Sequence, residues 1–328
     1  METTGNNSLT VMAEDLYISL IEAGTLLSVS VIGILCNLHA FTVMLRHQAF
    51  RNSFGRLAVC YTFSNVAVLA IFMVWATPWT IWPVPDDLRY INLRVGALSI
   101  CFFQMALHCH LFISINRFTA ITFPVYYRNK FTLYAANAII VFIGAGSFIF
   151  SCVFFIDGCD FFYGNFPSGW TYGTELCTQY IALFVDYYYK SFLFLASIVL
   201  DTITIAQLRS RRRKMVARQR TMNAAQVRDD TKMERREMRF LAQAALGTFV
   251  NIFLYVAVTF VAAMVDARFR ILCYTLSWEL VHAFAGVIFV VFNPEIWRRL
   301  PFMEKSLPTT NVVTITIRAT TTNNGSKT

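Results

Sequence analysis

Seven stretches of about twenty or more predominantly apolar residues follow one another along this chain, and a run of that length is what a helix needs to cross a bilayer. They cover residues 16–45, 55–82, 95–118, 133–156, 180–208, 240–265 and 271–292. Hydrophobic residues make up 56% of the 328 and charged residues only 14%, against the ~25% charged that soluble domains carry. Phe alone occurs 31 times, more often than the 19 acids together. A soluble fold of this size could not bury that much apolar surface. The sequence therefore predicts an all-α membrane protein, a seven-transmembrane helix bundle, and argues against an ordinary soluble enzyme. Residues 1–15 form a leading tail, 16–300 the helical domain with a short membrane-surface helix, and 301–328 a disordered tail rich in Ser and Thr. The leading segment carries Glu2, Glu14 and Asp15 and no Lys or Arg. That is the reverse of a signal peptide, so the first stretch reads as an uncleaved span.

Charge alternates between the connecting segments. Arg46, Arg51 and Arg56 follow the first stretch, and Arg117, Arg128 and Lys130 follow the third. The segment 207–238 holds eleven Lys or Arg against four acids, and Arg298, Arg299, Lys305, Arg318 and Lys327 follow the seventh. The opposite segments hold Arg89, Arg94, Arg268 and Arg270. The positive-inside rule then places the N-terminus outside and the C-terminus inside. The basic run from Arg209 to Arg220 imitates a nucleic-acid patch. As an extension of its flanking spans lying near anionic lipid it needs no nucleic acid. Asn6-Asn7-Ser8 is a glycan acceptor sequon on the outer tail, whereas Asn324-Gly-Ser326 falls inside.

Polar side chains at membrane depth are costly and therefore informative. Asn37 stands in the first stretch, Asn65 in the second, and Asn116-Arg117-Phe118 closes the third. Asn293-Pro294-Glu-Ile-Trp297 follows the seventh, where Pro294 frees backbone groups and marks a deformable point. Singly, each Asn reads as glue between helices. Together, Asn37, Asn65 and Asn293 read as an intramembrane polar network.

In this pattern the chain resembles the rhodopsin-like G-protein-coupled receptors. Asn37 matches the Asn of their first span and Asn65 takes the place of their second-span Asp. Asn116-Arg117-Phe118 is similar to Asp-Arg-Tyr, and Asn293-Pro294-Glu-Ile-Trp297 to Asn-Pro-x-x-Tyr. More closely, it resembles the nematode serpentine chemoreceptors, class X most of all. Ser53-Phe-Gly-Arg-Leu57, Ser64-Asn65, the stretch from Ile115-Asn-Arg-Phe118 to Phe123-Pro-Val-Tyr126, and Gly286-Val-Ile-Phe-Val-Val-Phe-Asn-Pro294 carry that likeness. The resemblance implies a receptor in the plasma membrane, in sensory cilia among other places, that binds an external small molecule and activates a heterotrimeric G protein. It assigns Asn116, Arg117, Phe118, Asn293, Pro294 and Trp297 to coupling and activation, and it implies no cofactor.

The departures from that pattern matter as much. Asn116 is not an acid, so Arg117 lacks a neighbouring carboxylate, for which Glu234 or Glu237 is a substitute to consider. Asn65 attracts a hard cation weakly, which weakens any sodium site. The sixth stretch has no proline, and Trp297 has no hydroxyl. The disulfide usual to those receptors needs a Cys near Asn92, and Cys101 lies too deep to serve. Cys159 and Cys177 share the loop after the fourth stretch, where a bridge would tie down a lid. Free thiols are the other reading.

In the fifth stretch Asp186 and Lys190 are four apart and share a helix face; they are ligand-binding candidates, with a structural or interfacial pair as the other reading. Glu279 and His282, three apart in the seventh, either face a ligand cavity or form an internal pair that holds helices together. His108 and His110 point about 200° apart around a helix and cannot share an ion without other ligands, so no metal site is supported. A transporter or ligand-gated channel is the alternative function. No inverted repeat supports a transporter, and the seven-helix insect-type channels run in the opposite direction. No catalytic dyad or metal cluster supports an intramembrane enzyme. Without a Lys in the seventh stretch there is no Schiff base for retinal.

Overall fold

The computed structural model describes residues 3–165, 168–219, 239, 242–243, 245–266 and 269–300. Glu234, Glu237, Asn324 and the Ser/Thr-rich tail after residue 300 lie outside them, and so does the side chain of Asn6. Among the described residues, seven helices are long and apolar enough to cross a membrane: Asp15–Arg46, Ser53–Ile81, Asp86–Thr122, Leu133–Phe155, Leu176–Arg211, Ala245–Met264 and Leu272–Phe292. They are called spans one to seven below. The helix of span one begins earlier, at Thr3, so the segment read as a leading tail continues the helix. That of span five runs on through Gln219, which makes the basic run from Arg209 a helical extension.

Local chemistry sets the helix ends. Asn52 caps span two by accepting from the Gly55 amide at 2.9 Å, and Thr132 caps span four by accepting from Ala135 at 3.2 Å. Pro78 cannot donate to the helix ladder. Span two passes through a wide π turn, Phe72–Ala76, just before it, and the Thr77 hydroxyl donates to the Phe72 carbonyl at 3.1 Å. Further π segments occupy Ile181–Tyr189, Ala257–Val261 and Leu272–Leu276. At the other end, Asn293 leaves the helical conformation before Pro294, and the short helix Pro294–Trp297 follows.

One end of the bundle is closed by an antiparallel hairpin, β1 (Phe161–Asn165) and β2 (Ser168–Tyr172), in the register Phe161↔Tyr172 and Gly164↔Gly169. A disulfide joins Cys159 to Cys177, with Cα atoms 5.1 Å apart, and ties the hairpin to the start of span five. Asn92 docks the hairpin onto span three. It accepts from the Tyr163 amide at 3.0 Å and donates to the Tyr163 carbonyl at 2.9 Å. Gly169, at φ +156°, brings β2 so near span seven that any side chain there would press on the Thr275 hydroxyl. The hairpin had no clear sign in the sequence, because its strands are short and aromatic within a loop.

Two apolar cores stack along the bundle. Under the hairpin, Phe72, Phe103, Phe154, Phe161, Tyr163, Trp170 and Trp278 form an aromatic core. Toward the opposite, basic end, Ala40, Val43, Leu57, Ile113, Phe289 and Ile296 form an aliphatic one. Outward-facing positions are strongly apolar, among them Phe142 at 74%, Val141 at 71% and Phe192 at 66% exposure. Inward positions include Asn37, Asn65, Gln104, Asn116, Asp201, Glu279 and His282, all buried. Apolar outside and polar inside is the arrangement for a lipid solvent rather than water.

Candidate functional site

The buried polar residues form three groups down the bundle axis. In the first, under the hairpin, Glu279 of span seven is fully buried and accepts from the Ser30 hydroxyl of span one at 2.5 Å. Its second oxygen makes no hydrogen bond to protein. One turn along the same face, His282 Nδ1 lies 2.6 Å from Asn65 Oδ1 of span two, and Trp278 Nε1 donates to His282 Nε2 at 2.9 Å. An indole N–H only donates and an amide oxygen only accepts. The ring therefore carries its proton on Nδ1 and is neutral. Asn37 of span one donates to the Gly33 carbonyl at 2.9 Å and to the His282 carbonyl at 3.0 Å. Glu279 and His282 thus face the interior without pairing with each other. Each ties span seven to a different helix.

Lys190 approaches the same region from span five. It is ion-paired with Asp186, and its ammonium lies 4.1 Å from the centroid of the Phe103 ring. Phe103 packs edge-on against Trp278 and His282, with centroids 5.2 and 5.7 Å away. Above them, Trp170 of the hairpin lies 6.1 Å from Trp278 and stacks on Phe161 at 5.6 Å. An imidazole and an ammonium thus flank an aromatic box roofed by the hairpin, and Glu279 stands next to its Trp278 in sequence. A separate cavity of about 260 Å³ lies between the hairpin and Pro85, Asp86 and Arg89.

The second group lies deeper. Asp201 of span five is buried and accepts from Thr248 of span six at 3.0 Å, while its other oxygen makes no hydrogen bond to protein. Asn251 donates to His110 Nε2 at 3.3 Å. His108 turns away to Tyr189, 2.6 Å off. Arg117 lies over the Phe54 ring at 5.3 Å and lines a cavity of about 40 Å³ with Tyr61, His110, Gln243 and Asn251. Asn293 donates to the Phe289 carbonyl at 3.0 Å and reaches Gln243 at 3.5 Å. The structure therefore joins Asn37 and Asn65 through His282, and sets Asn293 apart with Gln243. The sequence reading missed Asp201, His110 and Asn251 as a group. An acid inside the apolar run before Leu208 was the available signal.

In the third group, Asn116 donates to the Ser53 hydroxyl at 2.9 Å and accepts from the Tyr127 hydroxyl at 3.4 Å, and Ser53 and Tyr127 meet at 3.0 Å. The amide at 116 thereby clasps the start of span two and the short helix Pro124–Lys130. Phe118 packs edge-on against Phe123, with centroids 6.1 Å apart. Ile296, beside Trp297, is fully buried, and its carbonyl lies 3.1 Å from His39 of span one.

Seven apolar helices around a polar interior, capped by a disulfide-tied hairpin, define a seven-transmembrane receptor. The fold matches squid rhodopsin with a TM-score of 0.69 over 88% of this chain and 82% of that one, at 13% sequence identity. Residues 27–293 match the serpentine type 7TM GPCR chemoreceptor Srx, and the chain belongs to that family. Among curated proteins it is similar to serpentine receptor class X 45 of Caenorhabditis elegans. The two are 23% identical over 293 residues, covering 85% of this chain and 80% of that one. It is a multi-pass membrane protein and a chemosensory G-protein-coupled receptor.

Proposed function

We propose that this receptor lies in the plasma membrane, in sensory cilia among other places, with its N-terminus outside and its C-terminus inside. It binds an external small molecule beneath the hairpin and activates a heterotrimeric G protein at the basic end. The distribution of Lys and Arg among the loops supports the orientation. One observation carries the ligand reading. Glu279 is fully buried with the Ser30 hydroxyl as its one side-chain partner, and its second oxygen makes no hydrogen bond to protein. A carboxyl so placed is stabilised by a ligand that brings a cationic or hydrogen-bond-donating group. Such a ligand prefers one arrangement of the helices and shifts the population toward it. Asn116, Arg117 and Phe118 on span three and Asn293, Pro294 and Trp297 after span seven are the elements that respond at the basic end.

The test is a small-molecule panel on cells that express the receptor, read as G-protein activation with surface level measured in parallel. Glu279→Gln keeps the shape and removes the charge. It is expected to weaken agonists that carry an amine by about 10- to 100-fold, the loss of one hydrogen bond to a charged group. Arg117→Ala is expected to abolish activation at unchanged surface level. A ligand-evoked current that survives Arg117→Ala would overturn the reading in favour of a channel.

A further inference from the structure

The cavity of about 260 Å³ beside the hairpin takes no part in the site proposed beneath it. Asp86, Arg89, Asn92, Asp160, Phe162 and Gly164 are among the residues that line it. Pockets for drug-sized molecules begin at about 300 Å³, so this one suits a smaller occupant. Its walls are held by the fold itself. On one side the turn Asp86–Leu88 closes through the Leu88 amide, which donates to the Pro85 carbonyl at 3.0 Å, and the helix of span three starts at Arg89. On the hairpin side Asp160 follows the disulfide-bonded Cys159. Its amide donates to the Thr178 hydroxyl at 3.0 Å, and its carbonyl accepts from the Gly173 amide at 3.0 Å. Asn92, 5% exposed, clamps the backbone of Tyr163 and accepts from Trp75 Nε1 at 2.9 Å. Strand β1 is a shared wall. Phe161 and Tyr163 belong to the aromatic core, the alternate positions Phe162 and Gly164 line this cavity, and Tyr163 borders both.

Charges of both signs meet here without neutralising one another. Asp86 and Asp160 bring carboxylates and Arg89 a guanidinium, yet no ion pair joins Arg89 to either acid. A lone cation in this cavity would face the guanidinium, and a lone anion would face two acids. A bare metal ion finds too few ligands, since no group of three or more metal-binding side chains occurs among the described residues. A molecule that carries both signs matches both. We infer that this cavity is a second ligand site, for a small zwitterion of the amino-acid type. Its ammonium meets Asp86 and Asp160, its carboxylate meets the guanidinium fork of Arg89, and its side group lies against Phe162. The site is independent of Glu279 and of any agonist bound there.

The experiment titrates purified full-length receptor with the common L-amino acids, each also as its N-acetyl and its carboxamide derivative, and reads binding by saturation-transfer NMR. The N-acetyl form has no ammonium and the carboxamide no carboxylate. At least one free amino acid is expected to bind saturably, and its two derivatives about tenfold more weakly, the low end for a hydrogen bond to a charged group. Arg89→Gln should lower the free amino acid to the level of its carboxamide and leave the carboxamide unchanged. Asp160→Asn should weaken the free amino acid by a similar factor and leave the N-acetyl form no weaker. Glu279→Gln should alter none of these affinities. If no free amino acid binds, or if both derivatives bind as well as their parent, the zwitterion site is overturned. Binding that is lost in Glu279→Gln and kept in Arg89→Gln overturns it too, because it moves the molecule beneath the hairpin. Arg89 is exposed, where substitutions rarely unfold a protein. Should Asp160→Asn fail to fold, Asp86→Asn and the two derivatives on wild type decide in its place.

Discussion

The seam between spans one and seven makes the sharpest quantitative prediction. At Gly286 a methyl group would lie 2.6 Å from the backbone nitrogen of Asn37 and 2.7 Å from its Cγ. Ordinary carbon contacts sit at about 3.5–4.0 Å, so Gly286→Ala demands about 1 Å of separation against a backbone that cannot turn aside. Overpacking of this kind costs about 1–3 kcal/mol. Moving the helices apart also stretches the bond from Asn37 to the His282 carbonyl, now 3.0 Å, worth about 0.6 kcal/mol between membrane helices. The sum is about 2–4 kcal/mol, which at about 2–4 °C per kcal/mol lowers Tm by roughly 4–16 °C. Gly33→Ala should behave alike, because its methyl would meet Ala283 Cβ at 2.7 Å. The control is Gly24→Ala on the same helix, where nothing lies within 4 Å. Ala is also the better helix former there, so its Tm should hold or rise. Thermal unfolding of purified receptor in one detergent measures all three. A Gly286→Ala receptor as stable as wild type, or a Gly24→Ala receptor equally weakened, would refute the close-approach argument.

Further outcomes follow from the rest of the structure. Cys159→Ser opens a loop of 18 residues and should cost about 3 kcal/mol, read as a lower Tm that matches reductant-treated wild type. If reductant leaves wild type unchanged, the bridge carries no stability. Asn116→Ala removes the two hydrogen bonds that clasp Ser53 and Tyr127 and leaves those hydroxyls only each other, for a loss of about 1–3 kcal/mol. Asn116→Asp keeps an acceptor for both hydroxyls and should recover most of it, a contrast that melting curves of the two variants resolve. Burial pushes the phenols of Tyr163 and Tyr172 above the ordinary tyrosine range. Their raised values stabilise the fold fully below pH about 10, and that contribution fades as pH climbs beyond it, because the unfolded chain ionises first. Phenolate absorbance should therefore show Tyr163 and Tyr172 among the tyrosines that titrate late, together with unfolding.

How much of this was legible beforehand depends on the physics of each element. The seven spans were, because bilayer thickness sets a length that no loop imitates. Spans two, four, five and seven fall within a few residues of the predicted stretches, whereas span three begins nine residues before its stretch, at Asp86 rather than 95. Glu279, His282, Asn37 and Asn65 could be singled out as costly polar residues, but not their partners. In a soluble helix the apolar stripe tells which face is inward. Here every face is apolar, and only the polar residues mark the interior. That Asn65 meets His282, or that Asn293 meets Gln243, depends on how the helices are rotated against one another, which no spacing within one helix reports. The hairpin escaped for a related reason. Its strands are held by Asn92 and Thr275 on helices distant in sequence.

The four wide turns in spans two, five, six and seven all lie in the hairpin half of the bundle. Each holds one more residue than an ordinary turn, so each is a place where the chain can lose a residue and revert to regular helix. Such a deletion re-aims only the side chains beyond it, toward the hairpin, and leaves the register at Arg117 and Asn293 untouched. The basic half has no comparable slack among the described residues. Length variation at one end of a helix is thereby insulated from the other end. A receptor built this way can have its recognition surface redrawn by single-residue insertions and deletions while the signalling surface keeps its frame.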